Sequence, residues 1–557
     1  MRQIIMVLLL LAATVGQAQT KTSALVRGHI ANMPEQVKNQ MSITCYAPLQ
    51  VNFPTEVPLL PDSLGRFEVE VPLTETSPVV IIFQRLLLSP GETYDVEMDG
   101  MEIKVSCKGG DASLTNQVLT HEPATCDWRY GEMDGKTDAF VTDAAEKELR
   151  RMEAANDSIA KANPTLSPEW CHYARCRSLT SLAQKIVQRH FDNPAVRQAQ
   201  DGRLWQWLHD RFISNMPRPF MLIADELPYT MLYYTTELVA PRNRGGFDLK
   251  GAETAIDIAL EQLADGTAGT TDANADSLRS LRTMLNDFKA LAATDVADSL
   301  LSAHPVMAAM RSQFSSPYLK ELFRSGMVSE RTTAENIRRI ASLDMPDDVR
   351  DYARAVMLYN EMETFRTPLR PLLQELVGEV KNNSYRDIIT KQSNHYRDLA
   401  LRRDLEECLM PNTPLEGLTD GEKIFSKIIG PYRGRILYVD FWGTWCSPCK
   451  FDLKHHTHPL HQALADLPVT YLFLANSSPA EAWRSTIADF NLTGKHLVHY
   501  NLPRDQQQAV EQYLGVTSFP TYIIFDKDGR RVTPPDKKPR PYQAEAVRKI
   551  MLELMDK

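Results

Sequence analysis

Two thiols three positions apart, Cys446 and Cys449, can close a disulfide and reopen it. They follow an apolar run, Ile436-Leu437-Tyr438-Val439-Asp440-Phe441-Trp442, with the composition and length of a strand. The run after them, residues 450–467, is long enough for a helix. A Cys-x-x-Cys between a strand and a helix reads as a thiol redox site. At a helix start, unpaired backbone N–H groups and the macrodipole favour negative charge, so Cys446 is the expected thiolate and nucleophile, and the more exposed of the pair. Cys449 lies one turn further in, where a neutral buried thiol is cheap, and is the expected resolving thiol. Ser447 and Pro448 set the turn between them, because proline fixes its own φ and suits the first helical turn.

The pair admits two other readings. A zinc site needs about four ligands, usually from two such cysteine pairs. No second Cys-x-x-Cys exists, but His455, His456, His458 and His461 follow closely. Their spacing matches no common zinc pattern, so the expectation is no metal and a polar, partly exposed helix face. A purely structural bridge is disfavoured because so small a loop would constrain the unfolded chain little.

The segment Val439-Asp440-Phe441-Trp442-Gly443-Thr444-Trp445-Cys446-Ser447-Pro448-Cys449-Lys450 resembles the active-site segment of thioredoxins, and more closely that of the TlpA/ResA-like thiol-disulfide oxidoreductases of bacterial envelopes. Downstream, Gly515-Val516-Thr517-Ser518-Phe519-Pro520-Thr521-Tyr522 is similar to that family's cis-proline loop, and Asp528-Gly529 supplies a hairpin signal after the next strand. The resemblance covers about residues 413–557. It implies a cis bond before Pro520, with Ser518 and Phe519 offering backbone to a bound peptide. It implies that Trp445 lies beside the site as a binding surface. It places Asp440 where thioredoxins carry a buried carboxylate under the second cysteine, able to shuttle the Cys449 proton. Asp452, on the same helix face as Cys449, falls where many relatives carry a glutamate that influences the thiols. Relatives also tend to bend this helix with a proline near position 454; here the first helix proline is Pro459, which displaces the expected bend. No cofactor beyond the Cys446–Cys449 disulfide is expected.

The elements around this site must be drawn from a chain of 557 residues, enough for three or four domains. Apolar content of 43% and charge of 24% are ordinary for globular protein. A net charge of −9 with no long basic run gives no reason to expect nucleic acid. Arg2, the apolar stretch 4–15 and Gly16-Gln17-Ala18 read as a signal peptide, residues 1–18, cleaved to leave Gln19 first. The expected location is therefore the periplasm or cell envelope, as a soluble protein. Six further cysteines are present: Cys45, Cys107, Cys126, Cys171, Cys176 and Cys408. Their pairing is open, although a bridge between Cys171 and Cys176 would distort a regular helix.

The expected fold is multidomain α+β. Residues 24–113 read as a small β domain, with strands at 24–30, 42–46, 66–71 and 79–83. This part resembles the β domain that precedes the redox domain in many envelope members of the family. Residues 114–410 read as mostly helical, with Val349, Tyr352, Ala353, Val356 and Met357 on one helix face, and an exposed loop at 264–276. Residues 411–424 read as a linker. Residues 425–557 alternate strands and helices, which points to a thioredoxin-like α/β sandwich.

The function expected is thiol-disulfide exchange with envelope proteins, as reductant or isomerase, supplied by an electron donor for which a membrane-bound protein is one candidate. A thiol peroxidase is the enzyme alternative; it needs a threonine three residues before its cysteine, and Thr444 is two before. A binding protein whose redox domain only senses oxidation is the non-enzyme alternative, motivated by the size of the N-terminal region.

Overall fold

The computed structural model describes residues 23–555 except 34–40, 47, 52–53, 74–75, 83, 101, 109–111, 130, 193–201, 217–225, 240–246, 269–273, 295, 297 and 534–538. The expected signal peptide and its cleavage point lie outside the described residues, as do Phe83 and the middle of the 264–276 loop. The chain divides into two compact units. The first holds the described residues of 23–239 with 339–356, and the second those of 247–338 with 357–555.

In the first unit eight strands form two four-stranded sheets. β1 (Ser23–Ala31), β4 (Arg66–Pro72), β7 (Thr93–Asp99) and β8 (Glu102–Lys108) are ordered β4-β1-β7-β8. The other sheet holds β2 (Ser42–Cys45), β3 (Thr55–Pro58), β5 (Ser77–Ile81) and β6 (Gln84–Leu88), ordered β3-β2-β5-β6. Val26, Phe67, Val96, Ile43, Val79 and Leu86 share one core between the sheets. β3, β6, β7 and β8 are strands that the sequence reading missed. In β7 the period of two was present, with Tyr94, Val96 and Met98 buried, but the intervening Asp95, Glu97 and Asp99 disguise it as a charged loop. Two helices of 25 residues, Asp138–Ala162 and Pro168–Asp192, follow.

The second unit begins with helices and ends in the redox segment. Among its described residues one sheet holds β9 (Ile436–Trp442), β10 (Val469–Ala475), β11 (Leu497–Tyr500) and β12 (Thr521–Phe525), ordered β11-β10-β9-β12. β9 pairs in parallel with β10 and antiparallel with β12, and every one of its residues is buried, Asp440 included. The helices Gly421–Ile429 and Arg504–Leu514 cover one side; Ile424, Phe425, Ile428, Val510 and Leu514 pack on Val439 and Phe441. Cys408 and Met410, just before the expected linker, exchange backbone hydrogen bonds with His499 of β11, and Leu409 bridges to it in parallel.

Two expectations are corrected here. The run 450–467 is not one helix. It forms Ser447–His455 and Thr457–Ala463, broken at His456. Pro459 explains the break: it has no N–H for the His455 carbonyl, and its ring crowds that position. The hairpin strand after Asp528-Gly529 is reduced to a single bridge between Phe525 and Arg531. Among the described residues no helix is long and apolar enough to cross a membrane.

Candidate active site

β9 ends at Trp442, and Gly443-Thr444-Trp445 carries the chain over the sheet's end to Cys446. Cys446 is the N-cap of the Ser447–His455 helix, with extended backbone (φ −88°, ψ 101°). Its Sγ accepts the Cys449 backbone N–H at 3.2 Å. Cys446 and Cys449 form a disulfide across a Cα separation of 5.3 Å. Both are buried, 4% and 1% exposed, so exposure barely separates them in the oxidised state. The difference between them is positional: only Cys446 sits at the helix end, where an N–H is aimed at its sulfur.

The loop after β10 braces this turn. The Thr444 N–H donates to Ser478 Oγ at 3.0 Å, and Trp445 Nε1 donates to the Asn476 carbonyl at 3.0 Å. Gly443 permits this fold-back, since a Cβ there would stand 2.6 Å from Trp445 Nε1. The Trp445 ring remains 54% exposed beside the disulfide and meets Phe519 edge-on, with centroids 5.4 Å apart. That contact joins the cysteine loop to the second loop named from the sequence. There the Phe519–Pro520 peptide bond is cis, and the Ser518 carbonyl accepts from Thr521 Oγ1 at 2.6 Å.

Asp440, in the middle of the sheet, is 3% exposed and lies opposite Tyr522 in register. Among the described residues its Oδ1 has no hydrogen-bond partner. Burial, reinforced by Asp452, holds its carboxyl well above the usual carboxylate range. An unfolded aspartate titrates near 3.9, so above that pH the native state keeps a proton that the unfolded chain has lost. Stability from this group is therefore greatest in acid and declines as pH rises toward the folded value, on the order of 1 kcal/mol per pH unit. Asp440→Asn should remove that slope. In denaturant midpoints measured against pH, the variant gains on the wild type from acid to neutral; parallel curves would show that Asp440 titrates as it does unfolded.

Asp452 is 5% exposed and tied down by other groups. Its Oδ2 accepts the Tyr522 hydroxyl at 2.6 Å and lies 3.6 Å from Arg540 Nη1, while His456 Nε2 stands 4.0 Å from Oδ1. Asp452 thus bears on the site through Asp440 and through Tyr522, the residue opposite Asp440. Tyr522 and Arg540 were not foreseen as site residues. Tyr522 was visible in register with Asp440 once β9 and β12 were paired, whereas no local pattern marks Arg540.

His455, His456 and His461 are half-buried and packed against rings, while His458 Nε2 lies 3.0 Å from the Phe490 carbonyl. His455 and His456 lie 4.7 and 5.5 Å from Phe451, His456 lies 5.7 Å from Tyr542, and His461 meets Tyr471 at 4.9 Å. Burial pushes His455 down to about 4. The face is partly exposed, as expected, and it carries ring contacts that were not expected. Among the described residues no group of three or more His, Cys, Asp or Glu side chains is placed to hold a metal ion. The other six cysteines are unbridged; Cys171 is exposed, while Cys45, Cys176 and Cys408 are buried.

Residues 434–531 match the family model described as thioredoxin-like. The thiol-disulfide oxidoreductase ResA of Bacillus thuringiensis (strain Al Hakam) is 27% identical over 113 residues, 20% of this chain and 60% of that protein. ResA of Geobacillus thermodenitrificans is 29% identical over 101 residues, 18% of this chain and 53% of its own. The chain therefore spans about half to three fifths of the length of these relatives. Among solved structures, the thioredoxin domain of a thiol-disulfide oxidoreductase from Bacteroides vulgatus is 20% identical, covering 22% of this chain and 84% of that one, with a TM-score of 0.20. The C-terminal part of this chain is a thioredoxin-like domain, related in sequence to the ResA thiol-disulfide oxidoreductases.

Proposed function

We propose that this protein is an exported thiol-disulfide oxidoreductase that exchanges disulfides with envelope proteins through Cys446 and Cys449, as reductant or isomerase. The observation that carries the reading is the Cys446–Cys449 bridge at a helix N-cap, with a backbone N–H directed at Cys446 Sγ. When the pair is reduced, that N–H and the helix end favour thiolate at Cys446.

The Cys446 thiolate attacks one sulfur of a substrate disulfide. A bond forms between Cys446 and that sulfur, and the other substrate sulfur leaves as thiolate and takes a proton from water. Cys449 then loses its proton and attacks Cys446 Sγ, which re-forms the observed bridge and releases the second substrate thiol. As carboxylate, Asp440 takes up the Cys449 proton, and as acid it returns it when the pair is reduced again. Trp445 and Phe519 offer an apolar platform, and the backbone at Ser518 and Phe519, fixed by Pro520, receives the substrate chain. Each turnover consumes two electrons, so a donor must re-reduce the pair, and a membrane-bound protein fits an envelope setting.

The test is the reduction potential of the couple, by equilibrating the full chain against glutathione or dithiothreitol and counting the mass shift. The reading expects one two-electron couple near the thioredoxin end of the range from roughly −270 to −120 mV. A value near the upper end would make the protein a disulfide donor, and a pair that does not equilibrate with either thiol would remove the redox reading.

A further inference from the structure

The residue directly after the second cysteine is a lysine, a side chain almost never fully buried unless it is paired. Lys450 is only 5% exposed. Its backbone N–H donates to the Cys446 carbonyl at 3.1 Å, so the two residues stand one helical turn apart. Lys450 thus lies in the first turns of the helix that Cys446 caps.

The surroundings of Lys450 come from the helical segment 357–400 and from the helix Ala480–Asp489. Glu363, 7% exposed, accepts Gln392 Nε2 at 2.8 Å and the Tyr396 hydroxyl at 3.1 Å. Arg366, 4% exposed, is paired with Asp489. Its guanidinium lies over the rings of Tyr396 and Phe490, 5.3 and 4.9 Å from their centroids. His395 Nε2 reaches Asp489 Oδ1 at 2.8 Å, and Tyr359 completes the cluster from the helix that carries Glu363. Two of these groups act on Lys450 in opposite senses. Burial and the Arg366 charge push the ammonium down to about 8, and the Glu363 carboxylate works against them. Burial in turn raises Glu363, and Arg366 and Lys450 hold it back.

We propose that Lys450 is a positioning residue that makes the Cys446 thiol reactive, and that Glu363 anchors it, so that the segment 357–400 is a working part of the redox site. An ammonium one turn from a helix start stabilises a thiolate there, and low local polarity magnifies the effect. Glu363 supplies the counter-charge that lets the ammonium persist where water is excluded. The inference rests on the redox reading above.

The experiment uses the full chain, reduced, with iodoacetamide alkylation of Cys446 followed across pH by peptide mass spectrometry. In Lys450→Met the Cys446 midpoint should rise by about one pH unit, about a tenfold slower alkylation at neutral pH. Lys450→Arg should stay within about threefold of the wild type, because the charge is kept. Glu363→Gln should slow alkylation in the same direction, and that slowing should vanish in the Lys450→Met background. A lysine that only fills space would leave the pH profile where it is.

A Lys450→Met profile that overlays the wild type overturns the proposal, as does Lys450→Arg slowing as much as Lys450→Met. An undiminished Glu363→Gln effect in the double variant overturns the anchoring by Glu363. Should Lys450→Met not fold, an unchanged profile in Glu363→Gln decides against it. Wild-type exchange with a protein disulfide in the same preparation separates the two claims: its absence removes the redox function, whereas normal exchange with overlaid profiles removes only Lys450.

Discussion

Cys446→Ser should cut disulfide exchange by on the order of a thousandfold or more, and Cys449→Ser should trap the substrate on Cys446. Serine is almost wholly protonated at neutral pH and forms no disulfide, so the first step has no nucleophile. Without Cys449 the first step still runs, but the mixed disulfide has no internal thiol to resolve it. The measurement is exchange with a protein disulfide, combined with peptide mapping of the trapped adduct. Mapping matters because six other thiols are present. Burial pushes Cys45, Cys126 and Cys176 up to about 12, which leaves almost no thiolate at neutral pH. Cys171, exposed on its helix, is the thiol against which background labelling must be judged. Undiminished exchange in Cys446→Ser, or adducts at Cys171 in place of Cys446, would sink the assignment.

The local geometry of the candidate site was legible because its parts lie close together in sequence. Strand, turn, two thiols and helix start lie within fifteen residues, and each has its own residue signature. β9, β10 and β12 follow from largely apolar runs of the right length, and the helix Ala544–Met555 from helical spacing that places Val547, Met551 and Leu554 on one buried face. What was hidden depends on distant partners. The burial of Lys450 could not be read from its neighbours, since Glu363 and Arg366 lie far upstream in a stretch with no feature beyond helical periodicity. The break at His456 was half visible: Pro459 was noted, but its effect falls on the preceding turn. The histidines misled for a related reason. They are partly exposed as their polarity suggests, but Phe451, Tyr471 and Tyr542 supply ring contacts that only the fold brings together.

Arg366→Ala should destabilise the second unit by about 3–5 kcal/mol, the usual cost of removing one partner from a buried ion pair. Arg366 neutralises Asp489 from a position that is 4% exposed, and it fills the space between Tyr396 and Phe490. Alanine leaves Asp489 with His395 and removes the cation that holds down both Asp489 and Glu363. Lysine at 366 should recover only part of the loss, because it cannot lie flat over two rings. Urea unfolding read by labelling of Cys408, 3% exposed in the same unit, isolates this transition. A loss below about 1 kcal/mol would mean that the cluster relaxes or rehydrates around the gap.

The backbone bonds that Cys408 and Met410 exchange with His499 also have a bearing on solubility. β11 is the outermost strand of its sheet, and such a strand ordinarily presents free amides and carbonyls that invite pairing with another molecule. Here the chain approaching the redox domain occupies part of that rim itself. If the proposed exchange with protein disulfides holds, the same chain segment denies those substrates a template for strand addition at the side of the sheet.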